Sequence, residues 1–179
     1  MTGPFAPAPT LGYLRAAVAS DPPPDLELTP LNGPPRTVRE WLTTFHLVFV
    51  AIDPYTNESA WLLPTAARVL LNFQEADCRI AWLVAGDPEA CRAFLGPLAR
   101  DILTFSDPDL AAIKGFGLER LPALVHLGID GTILGSAEGW DPLRWRAVTV
   151  NLAKVMSWLP PVIPTAEDPG PFEGSLAVP

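Results

Sequence analysis

A chain of 179 residues, 49% of them hydrophobic, is long enough to bury one core and too short for two ordinary domains. Its formal charge of -8, from 20 acidic against 12 basic side chains, excludes a phosphate-backbone ligand held by clustered Lys and Arg. Two cysteines, Cys78 and Cys91, and two histidines, His46 and His126, are too sparse for a disulfide scaffold or a metal centre, so neither metal nor cofactor is expected.

The basic residues are almost all Arg, Lys114 and Lys154 being the two lysines, and with the abundance of Ala, Pro and Leu this suggests a GC-rich bacterial genome. The opening Met1-Thr-Gly-Pro-Phe-Ala-Pro-Ala-Pro9 has no basic flank and no long apolar run. Neither a secretory leader nor a membrane span is therefore expected, and the expected location is cytoplasmic.

Along the chain, Thr10 can cap a short helix with Leu11, Leu14, Ala17 and Val18 on one face, ended by Asp21-Pro-Pro-Pro24. Asp25 to Leu31 alternates apolar and polar residues, Asn32-Gly33 is a turn signal, and Thr37-Val38 resumes beyond it, which predicts a hairpin. His46-Leu-Val-Phe-Val-Ala-Ile52 is a continuous apolar run, the pattern of a central strand buried on both faces. From Asn57 to Phe73 a broad apolar stripe (Trp61, Leu62, Ala66, Val69, Leu70, Phe73) predicts a helix with Pro64 inside it as a kink.

Arg79 to Ala85 reads as a second buried strand, and Asp87-Pro88 opens a helix expected to run to about Arg100. Ile102 to Phe105 is a short third strand, and Ser106-Asp107-Pro108 begins another helix ended by Gly115 and Gly117. Leu121 to Leu127 and Thr132 to Leu134 flank Asp130-Gly131 as an antiparallel hairpin. A last helix begins at Asp141-Pro142, carries Leu143, Trp145, Val148, Leu152, Val155, Met156 and Leu159, and stops at Pro160-Pro161. The expected division is an extension over residues 1–24, a domain over 25–159 and a Pro-rich tail over 160–179, with Ile163, Phe172 and Leu176 as isolated apolar residues in the tail.

This element order predicts an α/β fold, a central mixed sheet with helices on both faces. The stretch from Asp25 to Leu159, about three-quarters of the chain, resembles the thioredoxin superfamily, and within it the peroxiredoxin-like branch of alkyl hydroperoxide reductases and thiol-specific antioxidants. Four segments carry the likeness: Pro24 to Gly33, Leu47 to Pro54, Ser106 to Leu110, and Leu118 to Ile133. The resemblance implies a thioredoxin-like fold with a cis-proline at Pro122 and the family's Asp-Gly turn at Asp130-Gly131.

It also implies a reactive cysteine between the central strand and the Pro-bearing helix, activated by the helix N-terminus. With Pro64 as the helix proline, the four residues in question are Thr56-Asn57-Glu58-Ser59, which contain no sulfur. Ser59 has no His near it in sequence to serve as a base, Glu58 suits the first turn of a helix, and Thr56 or Asn57 suits its cap. Cys78 is expected more than about 20 Å from the loop end of its strand, and Cys91 about one turn into the returning helix. A disulfide, which needs Cα atoms within about 7 Å, is not expected between them.

Trp41, Trp82 and Trp158 read as core; Trp61 and the Trp140–Trp145 pair are the better candidates for a partner surface, although core packing outweighs interface for each of them. His126, in an apolar strand, reads as a hydrogen-bonded core residue. The expected function is a redox-inactive thioredoxin-like protein for binding, assembly or chaperoning, with no catalytic residue. Its partner is a protein or extended peptide held by Tyr55, Thr56, Asn57, Glu58, Ser59, Trp61, Leu121 and Pro122. The alternative is a thiol-dependent peroxidase or oxidoreductase using Cys78 or Cys91. Self-association, and docking of the tail on its own domain or on a neighbour, stay open.

Overall fold

The computed structural model describes residues 19–178, so the helix expected at Thr10 to Val18 lies outside the described residues. The continuous apolar run is β3 (His46–Ile52), and it is buried because both faces of its sheet are covered. Side chains alternate across it. Leu47, Phe49 and Ala51 enter one core layer with Trp41, Phe105, Ile113 and Phe116, while Val48, Val50 and Ile52 enter the other with Leu62, Phe73, Trp82, Trp145 and Leu152.

Around β3 the sheet is built from β1 (Glu27–Pro30), β2 (Arg36–Thr37), β4 (Cys78–Val84), β5 (Leu103–Ser106), β7 (Ala123–Leu127) and β8 (Ile133–Glu138), in the order β2-β1-β5-β4-β3-β7-β8. β3, β4 and β5 run parallel, and the remaining pairings are antiparallel. The parallel strands are joined by α2 (Asn57–Leu71) and by α3 (Pro88–Leu95) with α4 (Leu98–Asp101). A second, two-stranded sheet pairs β6 (Arg120–Leu121) with β9 (Ser175–Leu176).

Several elements differ from the sequence expectation. The helix after Asp87 stops at Leu95, because Gly96 takes a φ of +54° and Pro97 restarts the chain as α4. Val38–Trp41 forms a helix, α1, in place of a plain strand end, nucleated by a reciprocal capping box between Thr37 and Glu40. The helix α5 (Ala111–Gly115) begins later than Ser106-Asp107-Pro108 suggests, with the buried Asp107 carboxylate accepting from the Ala112 and Ile113 N–H groups at 3.0 and 2.9 Å. The last helix, α6 (Pro142–Met156), ends a turn early, and Trp158 lies outside the core, 39% exposed with its Nε1 donating to Asn72 O at 2.8 Å. Trp140 and Trp145, weighed as a partner surface, are fully buried and meet edge to face at 5.3 Å.

At the end of the sheet where β3 begins, His46 Nδ1 and His126 Nε2 are 3.0 Å apart. His126 is fully buried and its Nδ1 has no partner among the described residues. A proton on that atom would be an orphaned donor, so the favoured tautomer carries it on Nε2 and donates to His46. Burial, reinforced by His46, lowers the His126 pKa from 6.5 to about 4. The unfolded chain therefore takes up the proton first as pH falls, and stability is full above about pH 6.5 and declines toward pH 4. We predict a loss on the order of 3 kcal/mol across that window from this group. Denaturant midpoints measured from pH 7 to pH 4 should fall for the wild type and fall much less for His126→Leu; parallel curves would contradict the assignment.

Candidate functional site

The loop that leaves β3 is closed by its own polar groups. The Asp53 N–H donates to Ser59 Oγ at 2.9 Å, the Tyr55 N–H donates to Asp53 Oδ1 at 2.9 Å, and Thr56 Oγ1 donates to Asp53 O at 3.2 Å. Ser59 is fully buried, and its hydroxyl oxygen is engaged in holding the turn. Thr56 occupies the N-cap position, but its hydroxyl points back into the loop and accepts from no helix N–H; Asn57 is already the first helical residue. Tyr55 and Trp61, 74% and 57% exposed, stand outward, as does Asn57, with Glu58 half-buried between them.

The register of β3 on β7 pairs Ala51 with Ala123, which sets Pro122 beside Ile52 where the chain enters this loop. The Leu121–Pro122 bond is cis, as the resemblance implies, and both residues are buried. The structure thus brings the 55–59 loop and Leu121-Pro122 to one end of the sheet. The backbone before Pro122 is braced from below by Glu138, whose Oε2 accepts from the N–H groups of Arg120 at 2.8 Å and Glu119 at 3.2 Å. Burial pushes the Glu138 carboxyl above its ordinary range, and these two N–H donors partly offset that rise.

The tail is docked on its own domain, running from the C-terminal end of α2 toward this end of the sheet. Asn72 Nδ2 donates to Leu159 O at 2.9 Å, Arg68 Nη1 to Val162 O at 2.7 Å and Arg146 Nε to Ile163 O at 2.6 Å. Asp168 is the main anchor. Its carboxylate, 3% exposed, accepts from Arg68 Nη2 at 2.9 Å, Thr65 Oγ1 at 2.8 Å and the Thr165 N–H at 2.7 Å. Burial alone would raise its pKa, and these donors together hold it below the usual carboxylate value.

Beyond that anchor, Trp140 and Phe172 exchange backbone hydrogen bonds at 2.8 and 3.0 Å, and the Phe172 ring meets Trp61 edge-on at 6.0 Å. β9 then pairs antiparallel with β6, Ser175 opposite Leu121 and Leu176 opposite Arg120. The Ala177 N–H donates to Glu119 O at 2.8 Å, and antiparallel alternation makes Leu121 and Ser175 the next hydrogen-bonded pair. Of the apolar residues expected in the tail, Ile163 is buried, Phe172 is half-buried and Leu176 is outward; beyond Phe172 the inward residues are Gly174 and Ala177.

Neither sulfur lies in the loop. Cys78 opens β4 opposite His46, at the far end of the strands, and its thiol is pushed up to about 11 by burial and then by Asp77. Cys91, on the first turn of α3, is fully buried; burial raises its thiol, with partial relief from Ser106. Its Sγ lies 3.7 Å from Gly86 O.

No protein-family model matches the chain, and no curated protein matches it. Solved structures do. A putative thioredoxin from Neisseria meningitidis is 16% identical with a TM-score of 0.62, over 78% of this chain and 93% of that one. Peroxiredoxin Q from Xanthomonas campestris is 16% identical with a TM-score of 0.62, over 78% and 98%. A secreted Mycobacterium tuberculosis disulfide oxidoreductase homologous to DsbE of E. coli is 16% identical with a TM-score of 0.53, over 65% and 84%. The chain has a thioredoxin-like fold. Its structural neighbours include both peroxiredoxins and disulfide oxidoreductases. Among the described residues, no helix is long and apolar enough to cross a membrane.

Two outcomes follow from this geometry. With its thiol near 11, Cys78 is about one part in ten thousand thiolate at pH 7, and Cys91 is shielded. An aromatic disulfide reagent should label both thiols promptly in denaturant and neither in the native protein; rapid native labelling would refute the burial argument. Asp168→Ala removes charged hydrogen bonds worth about 2 kcal/mol in total after screening at Arg68. Denaturant unfolding should show that loss, and an unchanged midpoint would mean that the clasp contributes nothing.

Proposed function

We propose that this chain is a redox-inactive binding protein which takes an extended protein segment on the backbone before Pro122, flanked by the loop Tyr55, Thr56, Asn57, Glu58, Ser59 and by Trp61. The observation that supports this most is the pairing of an extended segment, Ser175–Leu176, on Arg120–Leu121. Strand addition of this kind draws affinity from main-chain hydrogen bonds and needs no sulfur. The exposed aromatics Tyr55 and Trp61 supply apolar area beside it. Hydroxyl groups at Thr56 and Ser59, both tied to Asp53, suit a fixed platform more than a nucleophile. A bacterial cytoplasmic setting, in which such a protein assists the assembly of others, fits the composition.

A second reading has one observation in its favour. A Cβ added to Gly86 would stand 3.1 Å from Pro54 Cγ, so Gly86, and Cys91 beside it, belong to the loop end of the sheet. In a thiol-dependent peroxidase, the Cys91 thiolate would attack the peroxide O–O bond, becoming a sulfenic acid while water or an alcohol leaves. This requires a local opening to expose the sulfur.

The two readings separate cleanly. On the binding reading, Cys78→Ser and Cys91→Ser leave partner recovery from a lysate of the source organism unchanged, Tyr55→Ala with Trp61→Ala lowers it by roughly tenfold or more, and peroxide consumption stays at background throughout. Thiol-dependent turnover in the wild type that disappears in Cys91→Ser would overturn the binding reading.

A further inference from the structure

Resting on that reading, we infer that the tail is a resident ligand of the binding edge: a partner must displace it, and the segment that displaces it must share its pattern. That pattern is an aromatic residue, a glycine two positions on, and a small apolar residue three positions after the glycine. The basis is exclusivity. An edge residue offers one N–H and one C=O outward, and those of Leu121 are committed to Ser175, so a second strand can pair there only after β9 leaves.

Each element of the pattern has a contact that requires it. Phe172 lies against Trp61 and bridges Trp140, which fixes an aromatic at the first position. Gly174 has a φ of +83°, and a Cβ there would stand 2.5 Å from Leu121 O and 3.3 Å from Gly139 Cα, so the second position admits glycine alone. Its partner across the contact is also a glycine: a Cβ on Gly139 would collide with Glu173 O. Ala177 is 4% exposed, leaving no room for a long side chain at the third position. Ser175 and Leu176 are not constrained in this way, since Leu176 points outward.

The clasp at Asp168 sets how firmly the edge is held. It is placed six residues before Gly174, so the tail segment meets Leu121 at an effective concentration on the order of millimolar, above what a free peptide of the same sequence reaches in ordinary assays. Occupancy of the edge lowers the apparent affinity of any partner by the fraction of molecules with the tail released.

The full-length chain with Gly174→Val tests this, with a labelled synthetic peptide of residues 170–178 as the probe, read by fluorescence anisotropy. The wild type should bind the peptide at least roughly tenfold more weakly than Gly174→Val, and a peptide that itself carries valine in place of Gly174 should bind neither. Equal binding of the wild-type peptide to both proteins would overturn the inference. Ala177→Asp expels the same segment through an independent contact, so a folding failure of one variant leaves the other, with near-UV circular dichroism reporting the fold of each. Uptake of the peptide by Gly174→Val without any gain in lysate partner recovery would support the resident-ligand inference while removing the binding function on which it draws its purpose. Gain of a partner without uptake of the peptide would overturn the inference and leave the binding function standing.

Discussion

The backbone of Leu121 is the point on which the site depends. Leu121 is fully buried, and a buried N–H or C=O without a partner costs about 1–3 kcal/mol. β7 satisfies β3 only from Ala123 onward, and Glu138 satisfies the N–H groups of Glu119 and Arg120, which leaves the outward pair of Leu121 to a strand from elsewhere. In this structure the chain supplies that strand itself. A bare edge would be an unsatisfied one, so binding at this place is an exchange of one strand for another.

The rest of the molecule is arranged around that exchange. Trp140 and Trp145, fully buried at the start of α6, form a rigid floor: the Trp140 indole donates to Pro169 O and that of Trp145 to Gly139 O. On the α2 side, Thr65 and Arg68 face the tail and hold Asp168, while Trp61, nearer the helix N-terminus, meets Phe172. Helix α2 presents a clasp for the tail along its length and a closed polar turn at its start. The same turn accounts for the inertness of Ser59, since its oxygen holds the Asp53 N–H.

Much of the fold could be read from the residues because its signals are local or strongly periodic. The unbroken apolar run of His46 to Ile52, the Asp87-Pro88 helix start and the Asp130-Gly131 turn each have a physical cause contained within a few residues. Pro122 was legible through the resemblance. The tail was not. Its pairing joins residues 54 positions apart, Leu121 with Ser175, through two-residue strands with no periodicity to detect, and its anchor joins Arg68 to Asp168 across 100 positions. Trp158, expected in the core, lies at the rim for a related reason: which indole is covered depends on the path of the tail, which lies over Trp140 and leaves Trp158 uncovered. The role of Gly139 and Gly174 as facing contacts emerges only when the tail is in place.

Nuclear magnetic resonance of the intact protein tests most directly whether β9 occupies the edge before Pro122. Arg120 and Leu176 form a non-hydrogen-bonded antiparallel pair, whose Cα atoms approach to about 4.5 Å. With β9 in place, a strong cross-peak between their Hα protons and slow exchange of the Ala177 amide are expected. Absence of that cross-peak, with the Ala177 amide exchanging as fast as in a free peptide, would contradict that placement.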